Sequence, residues 1–304
     1  MIAAIGAIAP VFAPIVIGWG LKRQSWLPEP FWLGAERIVY WVLFPALLCI
    51  SLGSIDASSM PVAATAAALG GAILAVTAGA LVLAQAVSLP APQLTSVVQG
   101  CLRPNIYIGF AVAAALWGGP GLALFSLAVA IAIPLVNLIA VVLLTRFGTA
   151  TPSWRETARQ IAVNPIILGC LAGILPSLSP AKLPVPVADT LKLLGQASLP
   201  LALLSVGASL DFTLLKGAPG SLLAASFGKL VALPAATWFA CRSLGLDPLA
   251  TAVCTLFNAL PASPSSYVMA RQMGGDHRLM AAILTCQTLL AVVTLPLLLS
   301  LVRG

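Results

Sequence analysis

The feature that most limits what this chain can fold into is the stretch Gln99-Gly-Cys-Leu-Arg-Pro-Asn-Ile-Tyr-Ile-Gly109, set in the middle of a long apolar run. A proline inside a helix removes a backbone donor and clashes with the preceding turn. Asn105 follows Pro104 directly, and Arg103 adds a charge where charge is costly. Unpaired backbone inside a bilayer is tolerated only where it is buried in protein or lines a wet cavity. The run therefore predicts a membrane helix unwound over residues 103–107, with an arginine beside the break. A second interruption, Asn258-Ala-Leu-Pro-Ala-Ser-Pro-Ser-Ser-Tyr267, lies in the other half. Two interrupted apolar segments at corresponding places in two halves point to a binding site near the midplane.

The membrane setting rests on composition: 60% of the 304 residues are hydrophobic and 8% charged, against roughly 25% charged in a soluble domain. The net charge of +7 does not imply a nucleic-acid partner, because the basic residues are spread over short loops instead of forming a patch. The six cysteines stand singly in apolar runs and His277 is the only histidine, so no metal site, disulfide framework or cofactor is expected. Met1 to Leu21 has no basic n-region, and Lys22-Arg23 follow it. That pattern predicts a retained first helix with a translocated N-terminus.

A spanning helix needs about 20 apolar residues. Ten spans are predicted, at roughly 2–21, 33–53, 62–87, 94–117, 120–144, 162–178, 187–210, 219–241, 249–271 and 279–301. With the N-terminus outside, Lys22, Arg23, Arg37, Arg146, Arg155, Arg159, Lys216, Arg271 and Arg278 fall inside. Only Lys182, Lys192, Arg242 and Arg303 fall outside, so both termini are expected to face out and the 145–160 loop to be cytoplasmic.

The halves repeat. Pro45 precedes Asp56 by eleven residues and Pro200 precedes Asp211 by eleven; Pro104 precedes Gly118 by fourteen and Pro261 precedes Gly275 by fourteen. Chance in a proline- and glycine-rich chain is the competing explanation, but both pairings fall on the same numbered span of each half. Five spans per repeat is an odd number, so the second half must enter upside down. The expected fold is an all-α membrane protein of ten transmembrane helices. It divides into two inverted five-helix repeats, residues 1–150 and 151–304, with broken, crossing helices 4 and 9.

The stretches Asn164-Pro-Ile-Ile-Leu-Gly-Cys-Leu-Ala-Gly-Ile-Leu-Pro and Leu193-Leu-Gly-Gln-Ala-Ser-Leu-Pro-Leu-Ala-Leu-Leu-Ser-Val-Gly-Ala-Ser-Leu carry a resemblance to the auxin efflux carrier family. That family is part of the wider group that includes bile-acid/sodium symporters. Phe44-Pro-Ala-Leu-Leu, Arg103-Pro-Asn, Ala259-Leu-Pro and Tyr267-Val-Met-Ala-Arg-Gln-Met-Gly-Gly-Asp also fit. The resemblance implies an anion carrier on a sodium/proton-antiporter-like fold, with a scaffold of helices 1, 2, 6 and 7. Helices 3–5 and 8–10 would form a transport domain that moves against it by an elevator-type motion. It also implies a homodimer through the scaffold and a bacterial inner-membrane location. The long central loop of plant members is absent, which points to a bacterial member and away from auxin itself; the resemblance to bacterial members implies small carboxylates, malonate-like or aromatic acids among them.

An anion site needs a desolvated positive field and donors that replace lost hydration. Broken half-helix ends supply dipoles and free N–H groups around Pro104 and Pro261. Asn105, Tyr107, Ser263, Ser265 and Ser266 add side-chain donors; back-bonding and helix packing are the competing roles for the serines. Arg103 lies deep in its span and can hold a carboxylate bidentately, or it caps loose carbonyls of its own broken helix. Lys229 either supplies a fixed positive charge where related sodium-coupled carriers hold a cation, or bonds carbonyls of the ninth helix. Asn258, and the repeat counterparts Asn137 and Gln287, either complete the cavity or glue helices together.

All eight acidic residues are expected at helix ends or in loops. With no carboxylate, and no histidine, at membrane depth, the sequence argues against an intramembrane enzyme and against a sodium/proton antiporter. A secondary transporter of small organic anions is the expectation; an anion channel or membrane sensor on the same fold is the alternative.

Overall fold

A computed structural model of the chain describes residues 2–53, 60–147, 159, 162–177, 183–216 and 219–302. Asp56, Arg155, Lys182, Arg303 and most of the 145–160 loop lie outside them, and with them part of the charge and repeat patterns above. Within the described residues the chain is helical. The helices are α1 (Ile2–Arg23), α2 (Glu29–Ile38), α3 (Phe44–Gly53), α4 (Val62–Ala86), α5 (Ala91–Leu102), α6 (Ile106–Phe147), α7 (Pro165–Ser177), α8 (Val185–Ala208), α9 (Pro219–Phe227), α10 (Leu233–Ser243), α11 (Pro248–Ala259), α12 (Pro264–Met273) and α13 (His277–Val302). Six helical runs among these residues are long and apolar enough to cross a membrane.

Prolines explain where the helices bend or stop. Five-residue π turns, Val39–Leu43 and Gly228–Ala232, join α2 to α3 and α9 to α10. Each lies just ahead of a proline, Pro45 and Pro234. The wider turn makes room for a ring that would otherwise strike the carbonyl four residues back, so the helix continues. At the two interruptions it does not continue. Arg103, Leu260 and Ser263 each precede a proline, and each is extended, with ψ of 110°, 145° and 142°. The residue before proline is pushed out of the α region by its ring. A further break within α6 comes at Gly118, whose φ of 57° falls in the left-handed region that glycine enters freely.

The second run starts at Glu29, four residues before its expected start at 33. Pro30 at the first turn has the φ a helix needs, and Glu29 suits the N-terminal dipole. The earlier start places Glu36 seven residues inside the apolar run Glu29–Gly53. The expectation that every acid lies at an end or in a loop therefore fails for Glu36.

The closest packing falls into two groups. In one, α1 lies along α8, and α3 along α7 and α8; in the other, α4, α10, α11 and α6 pack together, with α5 against α4 and α9. Backbones touch where α1 meets α8: a Cβ on Gly207 would overlap the Ile15 carbonyl and crowd the Trp19 amide nitrogen. Gly207→Ala is expected to cost about 3 kcal/mol, at the upper end of overpacking penalties because backbone cannot swing aside. Thermal unfolding in detergent measures this, and an unchanged melting temperature would contradict the close contact.

A candidate anion site where two broken helices cross

The two interruptions meet. Pro104 and Ala262 form an isolated antiparallel bridge. The Asn105 N–H donates to the Pro261 carbonyl at 2.7 Å, and the Ser263 N–H to the Arg103 carbonyl at 3.2 Å. Two short extended segments thus satisfy part of the backbone that the prolines exposed. The rest is met by side chains. Gln287, buried on α13, accepts from the Ala262 N–H at 2.8 Å. Its amide nitrogen donates to the Gly100 and Ala225 carbonyls, both at 3.1 Å. Lys229, fully buried, donates to the Leu102 carbonyl at 2.9 Å, capping the last turn of α5. Lys229 therefore serves the fourth predicted span, not the carbonyls of the ninth.

Arg103 is buried, and its guanidinium does not cap its own helix. It reaches across to α12, donating to the Met269 thioether at 3.0 Å and the Ser265 hydroxyl at 3.1 Å. Both are neutral, and a thioether is a weak acceptor. Among the described residues the only ion pair is Lys22–Glu29, at 3.0 Å. The crossing therefore gathers two buried basic side chains with no carboxylate bonded to either. Burying charge without a partner is costly, so an anion would fit here.

Donors are present as well. The Asn105 side-chain oxygen accepts from the Tyr107 and Ile108 N–H groups at 3.2 and 3.5 Å, capping α6. This role fixes which end of the amide is free: Nδ2 is buried without a hydrogen-bond partner. The Ser266 hydroxyl on α12 is buried and unpartnered too. Ser263 and Ser265 share a hydrogen bond at 2.9 Å, with Ser265 exposed. Asn258 donates to the Thr237 hydroxyl at 2.7 Å and leaves its oxygen unpartnered, so beside an anion it offers an acceptor where a donor is needed. The Tyr107 ring packs on Phe44 of α3, centroids 4.7 Å apart.

The expected residues do not all come together. Arg103, Pro104, Asn105, Pro261, Ser263, Ser265, Lys229 and Gln287 are joined by bonds at or beside the crossing. Asn137, the expected counterpart of Gln287, is half-buried on α6 and no hydrogen bond links it there. Gln99 was missed. Its side-chain amide is buried with both atoms unpartnered, and it stands four residues before Arg103, on the same helix face. That spacing was readable from sequence.

Comparison with known proteins bears on what such a site handles. Residues 151–299 match the family model described as "Membrane transport protein". The match includes the second interruption, Lys229 and Gln287, and excludes Arg103 and Asn105. A Rhizobium meliloti (strain 1021) protein named "Putative malonate transporter" is 30% identical over 203 residues. That stretch is 61% of this chain and 63% of the relative's length.

Proposed function

We infer that this chain, which belongs over residues 151–299 to the auxin efflux carrier family of membrane transport proteins, carries a small organic anion bound where its two broken helices cross. It is a transporter and not an enzyme. A malonate-like dicarboxylate is the favoured substrate class, and the relative's name supports it. The observation that carries the site assignment is the pairing of Arg103 and Lys229, buried and without carboxylate partners among the described residues, with the free Asn105 amide. A carboxylate placed there would accept two parallel bonds from Arg103 and a third from Asn105, with Lys229 adding a fixed positive field through the end of α5.

Alternating access completes the proposal. Ten crossings in two inverted five-helix repeats, both termini outside, would place the crossing near the midplane of a bacterial inner membrane. The packing group of α1, α3, α7 and α8, together with α2, would be the scaffold, through which two copies associate. The remaining helices would move past it in an elevator-type motion, and the separate packing of the two groups supports that division.

The test is thermal unfolding of the purified full chain with malonate, once in sodium and once in potassium. At a hundredfold excess over Kd a ligand adds about 2.7 kcal/mol, a rise of about 5 °C or more. Equal rises in both salts are expected, because Lys229 supplies the positive charge. A rise in sodium alone would overturn that role for Lys229. No rise with malonate or with any other mono- or dicarboxylate would overturn the anion reading.

A further inference from the structure

The Gln99 amide is buried with neither Oε1 nor Nε2 hydrogen-bonded among the described residues. Contacts on both sides of it fix where it stands. Pro92, Ser96, Gln99 and Arg103 follow at spacings of four, three and four, which puts them on one stripe of α5 and its C-cap. At one end of the stripe the Asp276 N–H donates to the Pro92 carbonyl at 3.1 Å, and the Ser96 hydroxyl donates to the Asp276 carbonyl at 2.9 Å. At the other end Arg103 donates to Ser265 and Met269. Helices α5 and α12 thus run antiparallel, and Gln99 lies on the face of α5 that α12 covers. The Arg103 N–H donates to the Gln99 carbonyl at 2.9 Å, closing one helical turn, so the two side chains leave the backbone about 5–6 Å apart. Ser266, within the α12 turn between Ser265 and Met269, also has a buried hydroxyl without a partner.

A buried amide is satisfied by a group that donates and accepts side by side. An ionised carboxylate only accepts, and would set one oxygen against the Gln99 Oε1. A protonated carboxyl group presents one C=O and one O–H, and it pairs with an amide through two parallel bonds, N–H to C=O and O–H to C=O. The charges around Gln99 favour the same form. On its side of α5 the buried cation is Arg103, which a first carboxylate occupies. Lys229 approaches α5 from the opposite face, where its neighbour Gly228 packs on Cys101, and its ammonium is held by the Leu102 carbonyl. Arg271 and Arg278 are exposed. His277 is exposed too, its ring 6.0 Å from that of Tyr267. The Asp276 carboxylate, one turn along the stripe, accepts from the Leu279 N–H at 2.9 Å, and its charge opposes a second anion there. Of the other helices packed on α5, α4 and α9 have no charged residue. Tyr107 on α6 packs on Phe44, Arg146 lies at the far end of α6, and Cys286 on α13 accepts from Ser226.

We propose that the species bound is the monoanion of a dicarboxylic acid, hydrogen malonate in the simplest case, with its carboxylate on the Arg103 guanidinium and its protonated carboxyl paired with the Gln99 amide. This rests on the anion reading above and adds the ionisation state of the cargo. One methylene separates the two carboxyl groups of malonate, which suits two side chains rising from adjacent turns of one helix. The dianion that prevails in neutral solution takes up one proton as it binds and gives it back on release. Proton and anion therefore travel together, and the protein needs no carboxylate of its own to carry the proton. Apparent affinity falls as pH rises above the second ionisation of the free acid, because a shrinking fraction of the anion carries the required proton.

Isothermal titration calorimetry of the full-length protein, at a pH where free malonate is fully ionised and in buffers of different ionisation enthalpy, counts the protons taken up per anion. One proton per malonate is expected, with Kd rising about tenfold per pH unit. Malonamate, in which a primary amide replaces one carboxyl, offers the same donor and acceptor without titrating near neutral pH. It is expected to bind with no uptake and a flat pH profile. Monomethyl malonate lacks the donor and is expected to bind about tenfold more weakly than malonamate. In Gln99→Leu that difference is expected to vanish; Gln99→Met, unbranched like glutamine, serves if Gln99→Leu does not fold. Malonate binding without proton uptake, equal wild-type affinity for malonamate and the ester, or a difference that survives the loss of the Gln99 amide overturns the proposal and leaves the anion site standing. Failure of wild type to bind malonate or any other carboxylate overturns the anion reading and this proposal with it.

Discussion

Gln287→Leu is expected to lower stability by about 4 kcal/mol, the largest loss among the substitutions considered. The side chain is fully buried and bonds three separate pieces of the molecule: the Gly100 carbonyl on α5, the Ala225 carbonyl on α9 and the Ala262 N–H at the second break. Leucine has nearly the same volume, so packing is preserved and the effect isolates the polar groups. The Gly100 carbonyl and the Ala262 N–H would be left buried without the partner Gln287 gives them, at about 1–3 kcal/mol each, while the Ala225 carbonyl would keep the weak Cys101 thiol donor at 3.8 Å. Hydrogen bonds between membrane helices are worth less on average, about 0.6 kcal/mol. These three lie where backbone is already broken, which puts the sum above that average. Thermal unfolding in detergent should show a fall of about 10 °C, and transport should be lost because the Ala262 bridge to Pro104 loosens. Gln287→Glu keeps the acceptor for Ala262 and sets an oxygen against two carbonyls, so it should be at least as damaging. A fall below about 2 °C for Gln287→Leu would show that the crossing holds without it.

The sequence showed the breaks, because a proline acts on its own local backbone: Arg103-Pro104, Leu260-Pro261 and Ser263-Pro264 become extended whatever surrounds them. The partners of those breaks were not legible, because they depend on which helix lies alongside. Gln287 looked like one of several polar residues in apolar spans, equivalent to Asn137, yet only Gln287 faces the bridge. For Lys229 two roles were open, a fixed charge in place of a cation or a bond to carbonyls of the ninth span, and its bond goes to the end of the fourth; the π turn in which it sits shifts the helix face by an amount no apolar periodicity predicts. Glu36 was misplaced for a smaller reason, a helix that starts at Glu29 in a Pro-Glu-Pro context. Small boundary errors matter little for a core residue, but four residues decide whether an acid lies at the end of a helical run or within it.

Arg103→Lys is expected to weaken malonate binding about 30-fold while leaving the fold intact. Lysine keeps the charge, so a large effect from this change alone identifies geometry as the cause. The guanidinium presents donors in a planar fork that matches a carboxylate, whereas an ammonium is a point charge on a flexible stem. Losing one of two charge-assisted bonds corresponds to about 2 kcal/mol. Arg103→Gln removes the charge as well. A unit charge within about 8 Å at an effective dielectric near 20 contributes a further ~2 kcal/mol, so binding should fall below detection. Stability should move little in either variant, since the partners given up are a thioether and an exposed hydroxyl. The ordering of the two variants carries the argument. Equal losses would mean that the planar fork of Arg103 matters and its charge does not; a loss confined to Arg103→Gln would mean that Arg103 acts only through its field, with the carboxylate held by Asn105. Wild-type affinity in both would move the anion away from the crossing, and the buried guanidinium would then be a structural link from the end of α5 to Ser265 and Met269 of α12.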